Sequence, residues 1–265
     1  MELVSKRLRK LVVEALEGGG RGHLGSSMSM IEILHALYDG YLNISKDNFT
    51  SLDRDRFILS KGHGCLALYA VLADKGFIPA EELKTFCKLD SRLGGHPERG
   101  KIPGVEASTG ALGHGLPIGV GMAIAGKIRK KNYKVVVLTG DGEINEGSVW
   151  EAAMSAAKHK LSNLTVIVDY NKLQSYGLTK EVLDLEPLMD KWKSFGFAIE
   201  EVDGHNIKEL KSLFSKLPLN KTKPTAIIAH TIKGKGFAMA EGNPQWHHKN
   251  KITPEEFSVM YQSLN

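Results

Sequence analysis

The chain has 265 residues, 42% of them hydrophobic and 25% charged, an ordinary globular composition with enough apolar material for one sizeable core or two small ones. The net charge of +5 is mild, and the basic residues fall in short runs such as Arg129-Lys130-Lys131 without aromatic interleaving, which argues against nucleic-acid binding. Two cysteines, Cys65 and Cys87, are too few for a disulfide framework, no apolar run reaches the roughly 18 residues of a membrane span, and MELVSKRLRKLVVEAL lacks a signal-peptide core, so a soluble cytoplasmic protein is expected.

In chain order, apolar residues at helical spacing predict a helix over residues 2–17. GGGRGHLGSS is expected to be loop, and Ser29 to cap a helix over MIEILHALYDGYL. A short buried strand over 55–60 ends at Lys61-Gly62-His63-Gly64, and a helix over 65–76 and a short one over 79–88 follow. Residues 90–112 carry Gly and Pro without periodicity, and such a long loop is usually functional or disordered. A small-residue helix over 113–131 precedes KVVVLTG and NLTVIVDYN, two apolar strands around a helix over 146–160. That is a βαβ unit and implies a parallel sheet. Helix 187–195 with FAIEEV and helix 206–217 with PTAIIAH add two more pairs. An irregular stretch over 233–252 and a helix from Thr253 end the chain. The pattern reads as a doubly wound, mostly parallel α/β sheet flanked by helices, in one domain over 1–265. Ligands of such sheets bind at the carboxyl ends of the strands, and the unusual loops follow Leu59, Leu138, Asp169 and Ala229 at those ends.

Asp141 stands between Gly140 and Gly142, past a strand and ahead of a helix. A glycine-rich turn there suits a phosphate. Asp141 repels a phosphate unless a divalent cation intervenes, and Mg²⁺ takes one or two protein oxygens together with phosphate oxygens. Asn171, at the next strand end, offers a second oxygen. Singly, these are an ordinary helix cap and a turn residue. Paired at the distance of one helix plus one strand, with glycines beside the aspartate, they read as a metal–diphosphate site. Of ten histidines, six sit in glycine-rich loops: His23, His63, His96, His114, His247 and His248. Histidine moves protons near neutral pH, and one loop histidine is commonly a surface residue, but six at strand ends point to a site. His35 and His159 lie inside helices and read as structural, and His205 precedes a helix that Asn206 caps.

GDG followed by Asn171 resembles the thiamine diphosphate signature. Gly22-His23-Leu24-Gly25, Ser60-Lys61-Gly62-His63-Gly64, Gly95-His96-Pro97-Glu98, Ser108 to Gly115, GDGEINEG and His230 to Gly236 occur in order. Together they resemble the amino-terminal part of transketolase, from the first helix to Trp246-His247. The resemblance implies thiamine diphosphate with Mg²⁺ or Ca²⁺, and Asp141, Asn171 and the Leu173 carbonyl as metal ligands. It further implies Gly142 and His63 at the diphosphate, and Gly110, Ala111 and Leu112 beside the aminopyrimidine. His23, His63, His96 and His247 are the implied catalytic histidines facing thiazolium and sugar, His247 also touching the cofactor. Glu146, on the cofactor side, and Glu151 resemble acids at a subunit interface. QWHHKNK departs from an aspartate-tryptophan-histidine-glycine pattern, which leaves His247 and His248 as alternatives for the same role.

In this family a glutamate on a second, pyrimidine-binding domain activates the cofactor. No further βαβ series follows Asn265, so that domain is expected on a separate C-terminal subunit, with this chain a complete subunit of a split enzyme that self-associates to a heterotetramer. The implied reaction moves a two-carbon ketol unit from a ketose phosphate such as xylulose 5-phosphate to an aldose phosphate such as ribose 5-phosphate, as in the pentose phosphate pathway. The alternatives are the alpha subunit of a 2-oxo acid or acetoin dehydrogenase, which lacks the GHPE and SKGHG loops, and a non-catalytic cofactor-binding partner, which has no need of His23 or His96.

Overall fold

A computed structural model describes residues 1–264. Its centre is a five-stranded, wholly parallel sheet in the order β1-β2-β3-β5-β4. The strands are β1 Arg56–Leu59, β2 Val135–Gly140, β3 Leu164–Tyr170, β4 Ala198–Asp203 and β5 Thr225–His230. β2 and β3 are buried along their whole length, as continuous β-branched runs require when both faces are covered. Successive strand residues enter different cores. Val136, Leu138 and Ile167 face one, with residues of α1 (Leu3–Gly19), α3 (Ile31–Ala36), α4 (Cys65–Asp74), α9 (Ile207–Phe214) and α10 (Pro254–Ser263). Val135, Val137 and Val166 face the other, with α5 (Gly115–Ile128), α6 (Gly147–Lys158) and α8 (Leu188–Ser194). This period of two, with helices on both faces, is the doubly wound architecture expected from sequence.

Several local expectations are corrected. GGGRGHLGSS is not all loop, because α2 (Leu24–Met28) forms within and just past it. Ser29 caps nothing. Its hydroxyl turns to Asp169 and to the Ser26 carbonyl, and Met30 precedes α3 without a side-chain cap. The helix expected to run to Leu42 leaves α-geometry after Ala36, where Gly40 at φ 114° turns the chain. Residues Ala80–Thr85 are a tight 3₁₀ turn rather than an α-helix. Asn206 does cap α9, accepting from the Lys208 and Glu209 amides, and Thr253 makes a capping box with Glu256 at α10.

One buried network sets the floor for the loops beyond β5. Arg9 of α1 is 0% exposed, forks onto Glu32 of α3 at 2.6 and 3.1 Å, and donates to the Lys235 carbonyl at 2.8 Å. His205 also reaches Glu32, at 2.9 Å, and accepts from the Ile232 amide. Burial raises the cost of ionising Glu32, but His205 and Arg9 outweigh it and bring its carboxyl to about 2. His205 is therefore structural, as expected.

Candidate active site

The carboxyl ends of β1, β2, β3 and β5 open on a cavity of about 480 Å³ lined by Lys61, His63, Leu112, Asp141, Gly142, Glu146, Asn171, Leu173, Lys233 and His247. The fold thus brings together most of the residues singled out from sequence. It is not the largest cavity of the chain, but it is the one at the strand ends, where a doubly wound sheet holds its ligands.

Asp141 is 3% exposed. One carboxylate oxygen accepts from the Gly142 amide at 2.7 Å and the other from the Lys172 amide at 2.5 Å. Lys172 reaches that position at φ 63°, an uncommon conformation for a residue with a side chain. It is the hinge that folds the end of β3 back toward Asp141. The Asn171 amide oxygen accepts from the Leu173 amide at 3.2 Å, and the Leu173 carbonyl accepts from the Lys233 ammonium at 2.7 Å. Three oxygens of the expected ligand set, from Asp141, Asn171 and Leu173, therefore line one cavity.

Four residues here carry no mark in the sequence-derived site. Asp169 is 0% exposed. It pairs with the Lys61 ammonium and accepts from the Ser29 and Thr231 hydroxyls. Burial disfavours its charge, yet Lys61 and these hydroxyls hold its carboxyl below the usual range. Burial, and then Asp169, push Asp141 the other way, up to about 6. Two buried carboxylates side by side need cations, and burial followed by Lys61 brings Lys233 down to about 8. Glu143, 2% exposed, ties three loops by accepting from the Ser60 hydroxyl and the amides of Gly113 and Gly140. A polar side chain inside a strand's apolar run, as Asp169 is in VIVDY, is the sequence signal that could have exposed the Lys61–Asp169 pair.

Beside this floor stands a cluster of imidazoles. The His23 ring lies 5.3 Å from His63, 6.4 Å from His96, 5.4 Å from His247 and 4.4 Å from His248, between centroids. His63 and His247 are 5.5 Å apart. Of these rings only His247 has a hydrogen-bond partner among the described residues, the Ser175 hydroxyl at 3.0 Å, while its Nδ1 is buried and unpaired. Burial, with neighbouring histidines and lysines, pulls His23 and His247 down to about 3 and His63 well below its usual value, and burial lowers His96. These four rings, of His23, His63, His96 and His247, are neutral at pH 7, each with one N–H donor and one bare nitrogen. Both His247 and His248 belong to the cluster. His114 does not. It is exposed, bonded only to the Leu112 carbonyl, and stands apart from the other five.

Gly110 borders the cluster and Leu112 the cavity, with Ala111 exposed between them. Gly110, at φ 135°, is required where it is, because a Cβ there would come within 2.7 Å of the His96 ring. A Cβ on Gly142 would meet the Gln174 side chain at 2.9 Å. Glu146, the residue just before α6, and Glu151, in its second turn, are exposed.

A family described as "Transketolase, thiamine diphosphate binding domain" matches residues 2–261. This chain belongs to that family. It is 47% identical over 241 residues to an apulose-4-phosphate transketolase subunit of Actinobacillus succinogenes, covering 91% of this chain and 87% of the relative. It is 42% identical over 257 residues to a 6-deoxy-6-sulfo-D-fructose transketolase subunit of Clostridium sp. MSTE9, covering 97% and 93%. A transketolase variant from Pichia stipitis in complex with fructose 6-phosphate superimposes with a TM-score of 0.92 at 28% identity, covering 100% of this chain but 41% of that one. The chain thus matches near full-length subunits, while spanning about two-fifths of the single-chain transketolase. Its family is the thiamine diphosphate-binding domain of transketolase, and three of its relatives are each named as one subunit of their own enzymes. No helix among the described residues is long and apolar enough to cross a membrane.

The donor set suits the cofactor. Asp141, Asn171 and the Leu173 carbonyl are oxygen donors of the kind a hard divalent cation would take, Lys61, Lys233 and His63 are N–H donors of the kind a diphosphate would take, and the Gln174 amide nitrogen is buried without a partner beside Gly142.

Proposed function

We propose that this chain is the diphosphate-binding half, over 1–265, of a two-chain cytoplasmic transketolase that moves a two-carbon ketol unit from a ketose phosphate to an aldose phosphate. The observation that carries the reading is the meeting, at one set of strand ends, of the Asp141–Asn171–Leu173 oxygens, the Lys61 and Lys233 ammonium groups and the imidazole cluster around His23. Asp141, Asn171 and the Leu173 carbonyl hold Mg²⁺ or Ca²⁺. Lys61, Lys233, His63 and the Gly142 amide hold the diphosphate, and Gly110, Ala111 and Leu112 flank the aminopyrimidine. Thiamine diphosphate, when bound, supplies the carbon nucleophile that receives the ketol unit and hands it on.

The chain's own residues orient the sugar and handle its protons. His23, His96 and His247 are neutral at pH 7, so their N–H groups donate to the sugar carbonyl oxygen and hydroxyls, and their bare nitrogens take up hydroxyl protons as carbon–carbon bonds break and form. The pyrimidine-binding half comes from the partner subunit, with Glu146 and Glu151 at the interface of a heterotetramer. Xylulose 5-phosphate and ribose 5-phosphate are the first pair to assay. Apulose 4-phosphate and 6-deoxy-6-sulfo-D-fructose, named in the relatives, are the next. Ketol transfer that needs both chains and vanishes with Asp141→Ala supports the reading. Decarboxylation of 2-oxo acids without ketol transfer would overturn it.

A further inference from the structure

Gly22 and Lys249 form an isolated antiparallel bridge. They exchange two backbone bonds, Gly22 N–H to the Lys249 carbonyl at 3.0 Å and Lys249 N–H to the Gly22 carbonyl at 3.1 Å. In an antiparallel pair, the position one residue forward on one segment and one back on the other is a non-hydrogen-bonded pair, whose side chains stand closest. Here that pair is His23 and His248. Their ring centroids are 4.4 Å apart at 48°, nearer than His23 is to His63, His96 or His247.

The bridge is anchored from the far side. The Lys249 ammonium lies 4.1 Å above the ring of buried Trp246 and pairs with Glu256 in the first turn of α10. The backbone bonds therefore set positions 248 and 23 opposite each other. His248 is half-buried, and its ring nitrogens have no hydrogen-bond partner among the described residues. His63 and His247 line the cavity of Asp141, whereas His23 and His248 stand outside its wall.

We propose that His248 is a specificity-determining residue. It hydrogen-bonds a hydroxyl of the sugar chain outside the two-carbon unit being moved, and so selects which aldose phosphate the enzyme accepts. The inference rests on the ketol transfer proposed above. An imidazole matches a hydroxyl because each is both donor and acceptor. The second rank of the cluster is where a chain extending out of the cofactor cavity past His23 would pass.

The test uses this chain with its partner subunit, thiamine diphosphate and Mg²⁺. kcat/KM is measured for the aldose phosphate taken best, such as ribose 5-phosphate, and for its 2-deoxy and 3-deoxy analogues. His248→Leu should lower kcat/KM for the full sugar about ten-fold, the usual scale of one hydrogen bond to an uncharged group. It should leave one deoxy analogue within about two-fold, so that discrimination against that analogue collapses. His248→Gln, which keeps a donor and an acceptor, should restore most of the discrimination. If His248→Leu folds poorly, Gln and Asn at the same position carry the test, because the longer amide alone should preserve selectivity. An equal loss on all three acceptors, or no loss on any, overturns the proposal, the former by making His248 a support for His23. Absence of ketol transfer from the unaltered complex overturns the functional reading itself, and this inference with it.

Discussion

At the strand ends Lys61, Asp169, Glu143 and Lys233 all have hydrogen-bond partners. The rings of His23, His63, His96 and His248 beside them have none among the described residues. The floor is built of buried polar groups and the cluster of half-buried or exposed ones, and the two are stabilised differently. The floor is closed on itself. Lys61 and Asp169 neutralise each other, Lys233 donates to the Leu173 carbonyl and Glu143 accepts from a hydroxyl and two amides, and removing Lys61 leaves Asp169 stranded. His23 and His63 stay inside the fold by remaining neutral, and the unmet bonding capacity of the cluster is what a ligand can use. The difference separates groups already paired within the fold from rings left open to a ligand.

The largest expected effect tests the closed floor. Lys61→Met leaves Asp169 buried without its cation and should destabilise the cofactor-free chain by about 3–5 kcal/mol, read from urea or thermal unfolding. A loss under about 1 kcal/mol would show that Asp169 does not depend on Lys61. Asp141→Ala should act differently. It removes a carboxylate already disfavoured by burial and Asp169, so the fold should survive. Affinity for thiamine diphosphate with Mg²⁺, measured calorimetrically in the two-chain complex, should drop about a hundred-fold or more. Unchanged affinity would remove Asp141 from the metal site.

Acid should separate the regions further. His23 and His247 sit near 3 in the folded chain against 6.5 for an ordinary histidine. Below about pH 6.5 the unfolded state then binds more protons than the folded one. Their contribution is fully present above 6.5 and is lost as pH falls toward 3. Unfolding midpoints should therefore decline between pH 7 and pH 5, less steeply in His23→Gln and His247→Gln. Equal slopes in all three proteins would mean that the rings do not carry the effect. The smallest effect belongs to His96, the most open ring of the cluster. His96→Ala should leave stability within about 1 kcal/mol of the parent while lowering ketol transfer about a hundred-fold. A large stability loss with activity retained would place His96 with the floor.

The amino-acid sequence by itself determined the alternation of strands and helices, the parallel sheet and the position of Asp141 one helix and one strand before Asn171. Apolar periodicity and glycine placement are local, and a local pattern is legible without partners. It also marked His23, His63, His96, His247 and His248 as candidates, though it set His247 against His248 and included His114. Tertiary structure decided what depends on distant partners. Lys61 meets Asp169 across 108 positions, and Lys233 meets the Leu173 carbonyl across 60. Ser29, expected to cap a helix, reaches Asp169 across 140. The Gly22–Lys249 bridge sets His248 opposite His23, His247 stands 5.4 Å from the same ring, and His114 stays outside the cluster. A buried ion or hydroxyl is stable only where the fold delivers its complement, and that delivery is a property of the packed sheet and its loops.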